Sequence, residues 1–266
     1  TTGSIFENCS SLIDLKLPKF SNNITNLNSV FSGCENIQQI DLAHFNTSNV
    51  TEMREMFWRC KSLISLDLTS LDTAKVTDMN SMFFSCSKLT SLDLTSFDTA
   101  NVTNMQYMFD GCSGLTSLDL TPLDTTKVTS MGSMFDGCSS LTSLDLTSFD
   151  TANVTNMQYM FNGCSSLTNL DLTPLNTANV TNMRSMFYGC SGLTSLDLTP
   201  LNTANVTDMR SMFYGCSGLT SLKTGATFKF IGTNYCLSGT WRSTAGETFT
   251  SGSFPSNVAD TYTKVS

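Results

Sequence analysis

The sequence predicts an α/β solenoid, built of stacked coils and closed by a C-terminal β cap. Three observations point to it. Cys34, Cys60, Cys86, Cys112, Cys138, Cys164, Cys190 and Cys216 recur at intervals of 26 residues, and Cys9 stands 25 before the first of them. A fixed period of that size marks a repeat architecture. Each interval opens with L-x-x-L-x-L, as at Leu89, Leu92 and Leu94, and ends with apolar residues three and four apart, as at Met105, Met108, Phe109 and Cys112. The first pattern suits a strand and the second one face of a helix.

The elements of one unit follow in order, counting Leu89 as position 1. The opening is the strand signature of a leucine-rich repeat. Leu92 and Leu94 point inward, while Ser91, Asp93 and Thr95 point out. Each strand is expected to pair in parallel with its copy in the next coil, about 4.8 Å away. Asp98, Thr99, Ala100 and Asn101 read as a side-chain-stabilised turn. A short helix is predicted over 104–110, capped by Thr103 and stopped by a left-handed Gly111. Strand-bearing copies open at Leu12, Ile37, Leu63, Leu89, Leu115, Leu141, Leu167, Leu193 and Leu219. The expectation is thus a leucine-rich-repeat solenoid of nine coils, about 40 Å long, with a parallel strand ladder on one side and short helices on the other.

The first copies are worn. Leu12-Ile13-Asp14-Leu15-Lys16-Leu17 keeps the strand pattern, one residue is deleted in the following turn, and Ile24, Leu27, Val30 and Phe31 replace Val, Met, Met and Phe. After Leu222 the repeat stops, so residues 1–222 are assigned to the solenoid and 223–266 to the cap. The cap is rich in aromatic residues, among them Trp241, Phe254 and Tyr262, and is punctuated by glycines. Strands are predicted over 227–231 and 259–265. A solenoid needs such a cover over its last open core.

The phrases NVTNM and MF-x-GCS-x-LTSLDL, recurring over residues 4–222, resemble the BspA-like leucine-rich-repeat family of bacterial surface proteins. The stretch GTW…ADTY resembles the C-terminal end of Gram-positive members. The resemblance implies a secreted or surface-attached bacterial protein engaged in adhesion or host interaction rather than catalysis. The chain departs from the common repeat where Phe97 or Leu stands in place of the Asn or Cys after the strand.

Composition narrows the function further. A net charge of −8 leaves nothing to neutralise phosphates, so nucleic acid is not an expected partner. The sequence holds no apolar run of about 18 residues to span a membrane. It shows neither a signal peptide nor a Gram-positive sorting motif, and it opens at Ser4-Ile5-Phe6-Glu7-Asn8-Cys9 as if inside a coil. Removal of upstream sequence and an anchor outside this chain are the corresponding expectations. The periodic cysteines belong to the apolar stripe and read as buried free thiols rather than disulfides. Cys236 reads as a single buried thiol, and Cys138→Ser is expected to bury an unpartnered hydroxyl at about 1–3 kcal/mol. With no C-x-x-C and one isolated histidine, His44, neither a metal, a cofactor nor a catalytic triad is expected.

Two sets of residues are candidates for binding. Asp41, Asp67, Asp93, Asp119, Asp145, Asp171 and Asp197 form an acidic ladder on the strand face. It reads either as a solvated stripe or as a docking face for a basic partner or cations. The variable positions 18, 19, 22 and 23 lie on the opposite side. There Arg54, Trp58 and Arg59 fall together, Tyr107 faces Tyr159 two coils on, and Arg184, Tyr188, Arg210 and Tyr214 form another group. Arg, Trp and Tyr are typical interface anchors, although these aromatics also suit a purely shielding role at the core edge. The expected function is a non-catalytic surface binding module for a host surface or matrix protein or a glycan. The alternative is a structural stalk that displays another domain.

Overall fold

The computed structural model describes residues 3–16 and 24–265. Leu17 and the deletion in the turn after it lie outside the described residues. Successive coils stand in a 26-residue register: a row of parallel bridges runs through Asn26, Glu52, Asp78, Asn104, Ser130, Asn156, Asn182 and Asp208. This row lies at position 16, on the side where helices were expected. Among the described residues no helix forms.

The backbone hydrogen bonds explain why. Met105, Tyr107, Phe109 and Gly111 donate their N–H groups to Ser130, Gly132, Met134 and Asp136 of the next coil, at 3.4, 3.0, 3.0 and 2.6 Å. The alternate residues Met108, Asp110 and Cys112 donate three residues back within the coil, to Met105, Tyr107 and Phe109, at 3.3, 3.2 and 3.1 Å. In an α-helix none of these donors would bond a neighbouring coil; those past the first turn would bond four residues back. Here every second peptide is turned toward the neighbouring coil, which requires a left-handed backbone at Tyr107 (φ 58°) and Gly111 (φ 71°). Gly111 therefore has the predicted positive φ without ending a helix. Thr103 caps nothing: its N–H and hydroxyl both donate to the carbonyl of Thr77 in the preceding coil, at 2.9 and 3.2 Å. The inward stripe itself is as predicted, with Met105, Met108, Phe109 and Cys112 fully buried. A chain of tight turns and a helix share that periodicity.

The opposite side is less regular than expected. Short strands form in four of the nine L-x-x-L-x-L copies. They are β1 (Asp14–Leu15), β2 (Gln39–Ile40), β3 (Ser195–Asp197) and β4 (Ser221–Thr224). β1 pairs with β2 and β3 with β4, both in parallel. The copies opening at Leu63, Leu89, Leu115, Leu141 and Leu167 form no strand, so the continuous parallel ladder predicted here is replaced by the turn-side one. The alternation survives: Leu92 and Leu94 are buried while Ser91 and Asp93 are exposed. Side chains supply part of the cross-coil bonding instead, as where Ser96 donates to the Leu68 carbonyl at 3.1 Å.

Three columns fill and tie the core. Phe31, Phe57, Phe83, Phe109, Phe135, Phe161, Phe187 and Phe213 stack face to face, with ring centroids 5.6–6.1 Å apart. Each buried ring contributes roughly 1.5–3 kcal/mol over its exposed state. The buried threonine at position 11 links coils: Thr73 donates its hydroxyl to the Asp98 carbonyl at 2.9 Å and accepts the Asp98 N–H at 2.8 Å. The cysteines from Cys34 to Cys216 are free and buried. Each thiol reaches the phenylalanine carbonyl of the preceding coil, as from Cys138 to Phe109 at 3.1 Å. Burial raises these thiols' pKa, to about 12 at Cys112 and Cys164. Cys9 is exposed and Cys236 half-exposed, because neither sits between two complete coils; the single buried thiol expected at Cys236 is not found.

The cap extends the sheet past the last coil. β5 (Trp241–Arg242), β6 (Thr248–Phe249) and β7 (Asp260–Lys264) complete a five-stranded sheet in the order β3-β4-β7-β5-β6, antiparallel beyond β4. β7 falls where a strand was predicted. Residues 227–231 do not form one; they run across the end of the last coil, where Phe228 and Phe230 are buried beside Tyr235, Trp241 and Tyr262. The Phe213 ring meets Phe230 edge-on at 6.5 Å, ending the stack.

Candidate functional site

The turn-side surface carries the residues in which the coils differ. Because the ladder holds each coil in the same register, positions 18, 19, 22 and 23 form columns along the axis. Column 22 reads Trp58, Phe84, Asp110, Asp136, Asn162, Tyr188 and Tyr214. Trp58 stacks on Phe84 with centroids 5.7 Å apart, and the Arg59 guanidinium lies 5.0 Å from the indole centre. Arg59 also bridges to Glu35 at 3.1 Å, a carboxylate it shares with Lys61 at 3.0 Å. These two cationic side chains hold the Glu35 carboxyl below its usual range, with the Lys61 hydrogen bond the largest cause.

Arg54 is not part of this group. It faces Asp78, 3.6 Å away, and its own N–H donates to the Asn28 side chain at 2.8 Å. Tyr188 and Tyr214 stack at 4.9 Å and are 38% and 54% exposed, the most open aromatic pair on this face. The two arginines predicted beside them point elsewhere. Arg184 lies over the Tyr159 ring at 5.7 Å, and Arg210 grips Asp208 with two bonds of 3.0 and 2.6 Å. Tyr107 and Tyr159 are not in ring contact; Ser133 occupies the same column between them. The geometry therefore holds three separate groups: Trp58–Phe84–Arg59, Tyr159–Arg184 and Tyr188–Tyr214.

Between the aromatic pairs sit two half-buried carboxylates that sequence reasoning missed. Burial pushes the Asp110 carboxyl up to about 7, with the nearby Asp136 adding to the shift. Asp136 is raised as well by burial, partly offset by the Asn162 amide, which donates to it at 2.8 Å. The signal was present in the sequence: two acidic residues in successive copies of a column otherwise aromatic or amide.

The acidic ladder on the other face has a structural task. In every member the carboxylate accepts the N–H two residues on, as from Thr121 to Asp119 at 2.9 Å, and several also accept that threonine's hydroxyl, here at 2.7 Å. These bonds are the same in Asp41, Asp67, Asp93, Asp145, Asp171 and Asp197 so far as the backbone donor goes. The hydrogen bonds outweigh the repulsion between neighbours, since the carboxyls of Asp67, Asp93, Asp119, Asp145 and Asp171 all lie below their usual range. Lys223 closes the row with an ion pair to Asp197 at 3.0 Å. Among the described residues no three His, Cys, Asp or Glu side chains converge to hold a metal ion, and no helix is long and apolar enough to cross a membrane.

A family model described as "Mycoplasma protein of unknown function, DUF285" matches residues 25–143 and again residues 112–225. No curated protein matches the chain. Among solved structures, a leucine rich cell surface protein from Faecalibacterium prausnitzii is similar over 76% of this chain and 77% of its own, at 15% identity and a TM-score of 0.28. A likeness so loose transfers no function to this chain.

Proposed function

We propose, for a chain that belongs to the family described as Mycoplasma protein of unknown function, DUF285, the role of a non-catalytic binding module at a bacterial cell surface. Its partner is a host surface or matrix protein or a glycan, met by the turn-side face. The observation that carries this reading is the placing of variation. Side chains differ from coil to coil on the face whose backbone is fixed by the hydrogen-bonded ladder, and the exposed Tyr188–Tyr214 pair lies there. Rigid aromatic anchors on a preorganised support lose little entropy on binding. The L-D-L face offers the same local motif in each copy and defines no register along the array. The BspA-like resemblance of the repeat phrases supports the surface location.

A structural stalk is the second reading, favoured by the unbroken row of bridges from Asn26 to Asp208, which stiffens the rod whatever its surface carries. An array of glycans and host matrix proteins separates the two, since a stalk retains none of them. With a ligand in hand, Trp58→Ala or Tyr188→Ala is expected to cost about 1–2 kcal/mol of affinity, while Asp119→Asn changes mainly the salt dependence. Loss of binding in Asp119→Asn alone would move the site to the other face.

A further inference from the structure

Where the last coil meets the cap the ladder between coils leaves N–H groups without a partner among the described residues, at Met209 and again at Gly215, and the gap at Met209 has the shape of a peptide. In each coil the threonine at position 15 donates its N–H back to the equivalent carbonyl, as from Thr207 to Thr181 at 2.8 Å. The methionine two residues on donates forward, as from Met183 to the Asp208 carbonyl at 2.9 Å. In the last coil the next pair in this series has no counterpart. The Thr207 carbonyl and the Met209 N–H have no hydrogen-bond partner among the described residues.

The cap is the cause, because it is too short at this point. It resumes the coil's bonding on either side of the gap. Lys229 takes the place of Asn202 by exchanging bonds with the Thr203 hydroxyl, at 2.6 and 3.0 Å, as Asn202 does with Thr177 at 2.8 and 2.9 Å. Asn234 takes the place of Arg210: its carbonyl accepts the Ser211 N–H at 2.7 Å, as that of Arg210 accepts Ser185 at 2.9 Å. From Asn202 to Arg210 the coil advances 8 residues (210 − 202), whereas the cap from Lys229 to Asn234 advances 5 (234 − 229). Three residues are skipped, in the stretch where a coil would carry its Val-Thr-x bridge. A cavity of about 520 Å³ lies there, lined by 207–210 and 231–234. That volume falls within the range of roughly 300–1,000 Å³ typical of ligand pockets.

We propose that this notch binds an extended segment of a partner protein, laid in parallel to Thr207–Met209 as the missing bridge. An added strand is held by main-chain bonds and selected by the side chains it presents alternately. Two backbone groups two residues apart, one acceptor and one donor, are spaced as the N–H and C=O of a parallel strand require. The selected segment carries a threonine flanked by an aliphatic residue. In the coils that threonine's hydroxyl reinforces its N–H on the same carbonyl, as from Thr207 to Thr181 at 3.1 Å. Gly232 borders the notch with nothing within 4 Å of where a side chain would begin, so the approach is open. The notch does not depend on the role of the turn-face aromatic groups; Arg210, which lines it, is held by Asp208.

The probe is the acetylated, amidated peptide Asn-Val-Thr-Asn-Met, copied from residues 153–157, titrated into the full chain and followed by amide NMR. Saturable binding is expected, with slowed exchange of the Met209 amide and no change at Met183. N-methylation of the peptide's threonine amide removes the bond to Thr207 and should weaken binding about tenfold. A variant with Val-Thr-Asn inserted between Gly232 and Thr233 fills the notch from within and should lose the peptide while keeping its melting temperature. Equal binding of the N-methylated peptide, or no saturable binding up to millimolar peptide, overturns the proposal even if the inserted variant misfolds.

Discussion

The two long faces of this solenoid are built from the same repeat and solve the stacking problem differently. On the turn side the backbone itself joins the coils, and the side chains outside are free to vary. On the L-D-L side the middle copies form no strands, and each Asp is engaged in a local turn, so the side chains are held constant. The difference teaches where a repeat can diversify. Variation is tolerated where the main chain fixes the coil, and constancy is required where side chains do that work. A related contrast appears in the electrostatics, since Asp110 and Asp136 on the turn face are raised by burial while the L-D-L carboxylates are lowered by hydrogen bonds.

The largest test of this contrast is a pair of prolines. Ser133→Pro removes an N–H bonded to Gln158 at 2.8 Å and demands a negative φ where the chain has 55°. A loss of about 3 kcal/mol or more is expected by denaturant unfolding. Ser143→Pro, on the other face, removes an N–H without a partner among the described residues, and its loss should be clearly smaller. Equal losses would mean that the ladder is not what holds the coils.

The thiol column sharpens the same point. Cys138→Ser keeps the acceptor at Phe109, 3.1 Å from the sulfur, so the hydroxyl is not orphaned as the sequence alone suggested. A cost near 1 kcal/mol is expected, while Cys138→Val, which leaves that carbonyl unbonded by the side chain, should cost more. Native protein should expose Cys9 and Cys236 to a thiol reagent and withhold the eight from Cys34 to Cys216 until unfolding.

The pH responses of the Asp110–Asp136 pair and of the L-D-L carboxyls run in opposite directions. Asp110 and Asp136 have raised pKa values when folded, so the native state binds their protons more tightly than the unfolded chain does. Their contribution to stability falls as pH rises from the unfolded carboxylate value near 4 to about 7 at Asp110, and is level above that. Asp110→Asn should therefore stabilise the protein at pH 8 and make little difference at pH 4. Discounted for solvent screening, the gain is on the order of 1 kcal/mol. The L-D-L carboxyls, lowered when folded, contribute stability above the unfolded value that is lost as pH falls through their folded values. A melting-temperature profile that rises steadily through pH 8 would contradict the assignment at Asp110. The smallest effect is expected at Asp119→Asn, which retains the turn acceptor and should melt as the parent does, whereas Asp119→Ala should melt lower.

What the sequence made legible was the inward-facing set. Period, buried columns, free thiols and the β7 strand all follow from spacing and side-chain type. The turn-side backbone did not, because Met105, Met108, Phe109 and Cys112 face inward equally in a helix and in a run of tight turns. Periodicity reports which side chains are buried and is silent on where an N–H points. Thr99 was legible in principle: a threonine recurs at position 11 from Thr47 to Thr203, a constancy that a surface turn would not need and a buried cross-coil bond does. The candidate site was legible as columns of variable residues, but not as partners. Arg184 and Arg210 share a column with each other and not with the tyrosines, and only the fold reveals that the Arg184 guanidinium lies over Tyr159 of the coil before while that of Arg210 stays with Asp208 in its own coil.

The alternate donation seen at Met105, Tyr107, Phe109 and Gly111 gives the molecule an electrical polarity. Each of those N–H groups points toward the C-terminal end of the stack, while the carbonyl of the same peptide unit accepts from the coil before. Four peptide units per coil are thereby aligned head to tail, each with a dipole of about 3.5 D. The position-15 threonine N–H, which donates to the coil before, opposes them, so the ladder carries a net dipole with its positive pole toward the cap. An α-helix has the reverse sense, positive at its N-terminus, so in a field this solenoid would orient with its chain direction opposite to that of a helix.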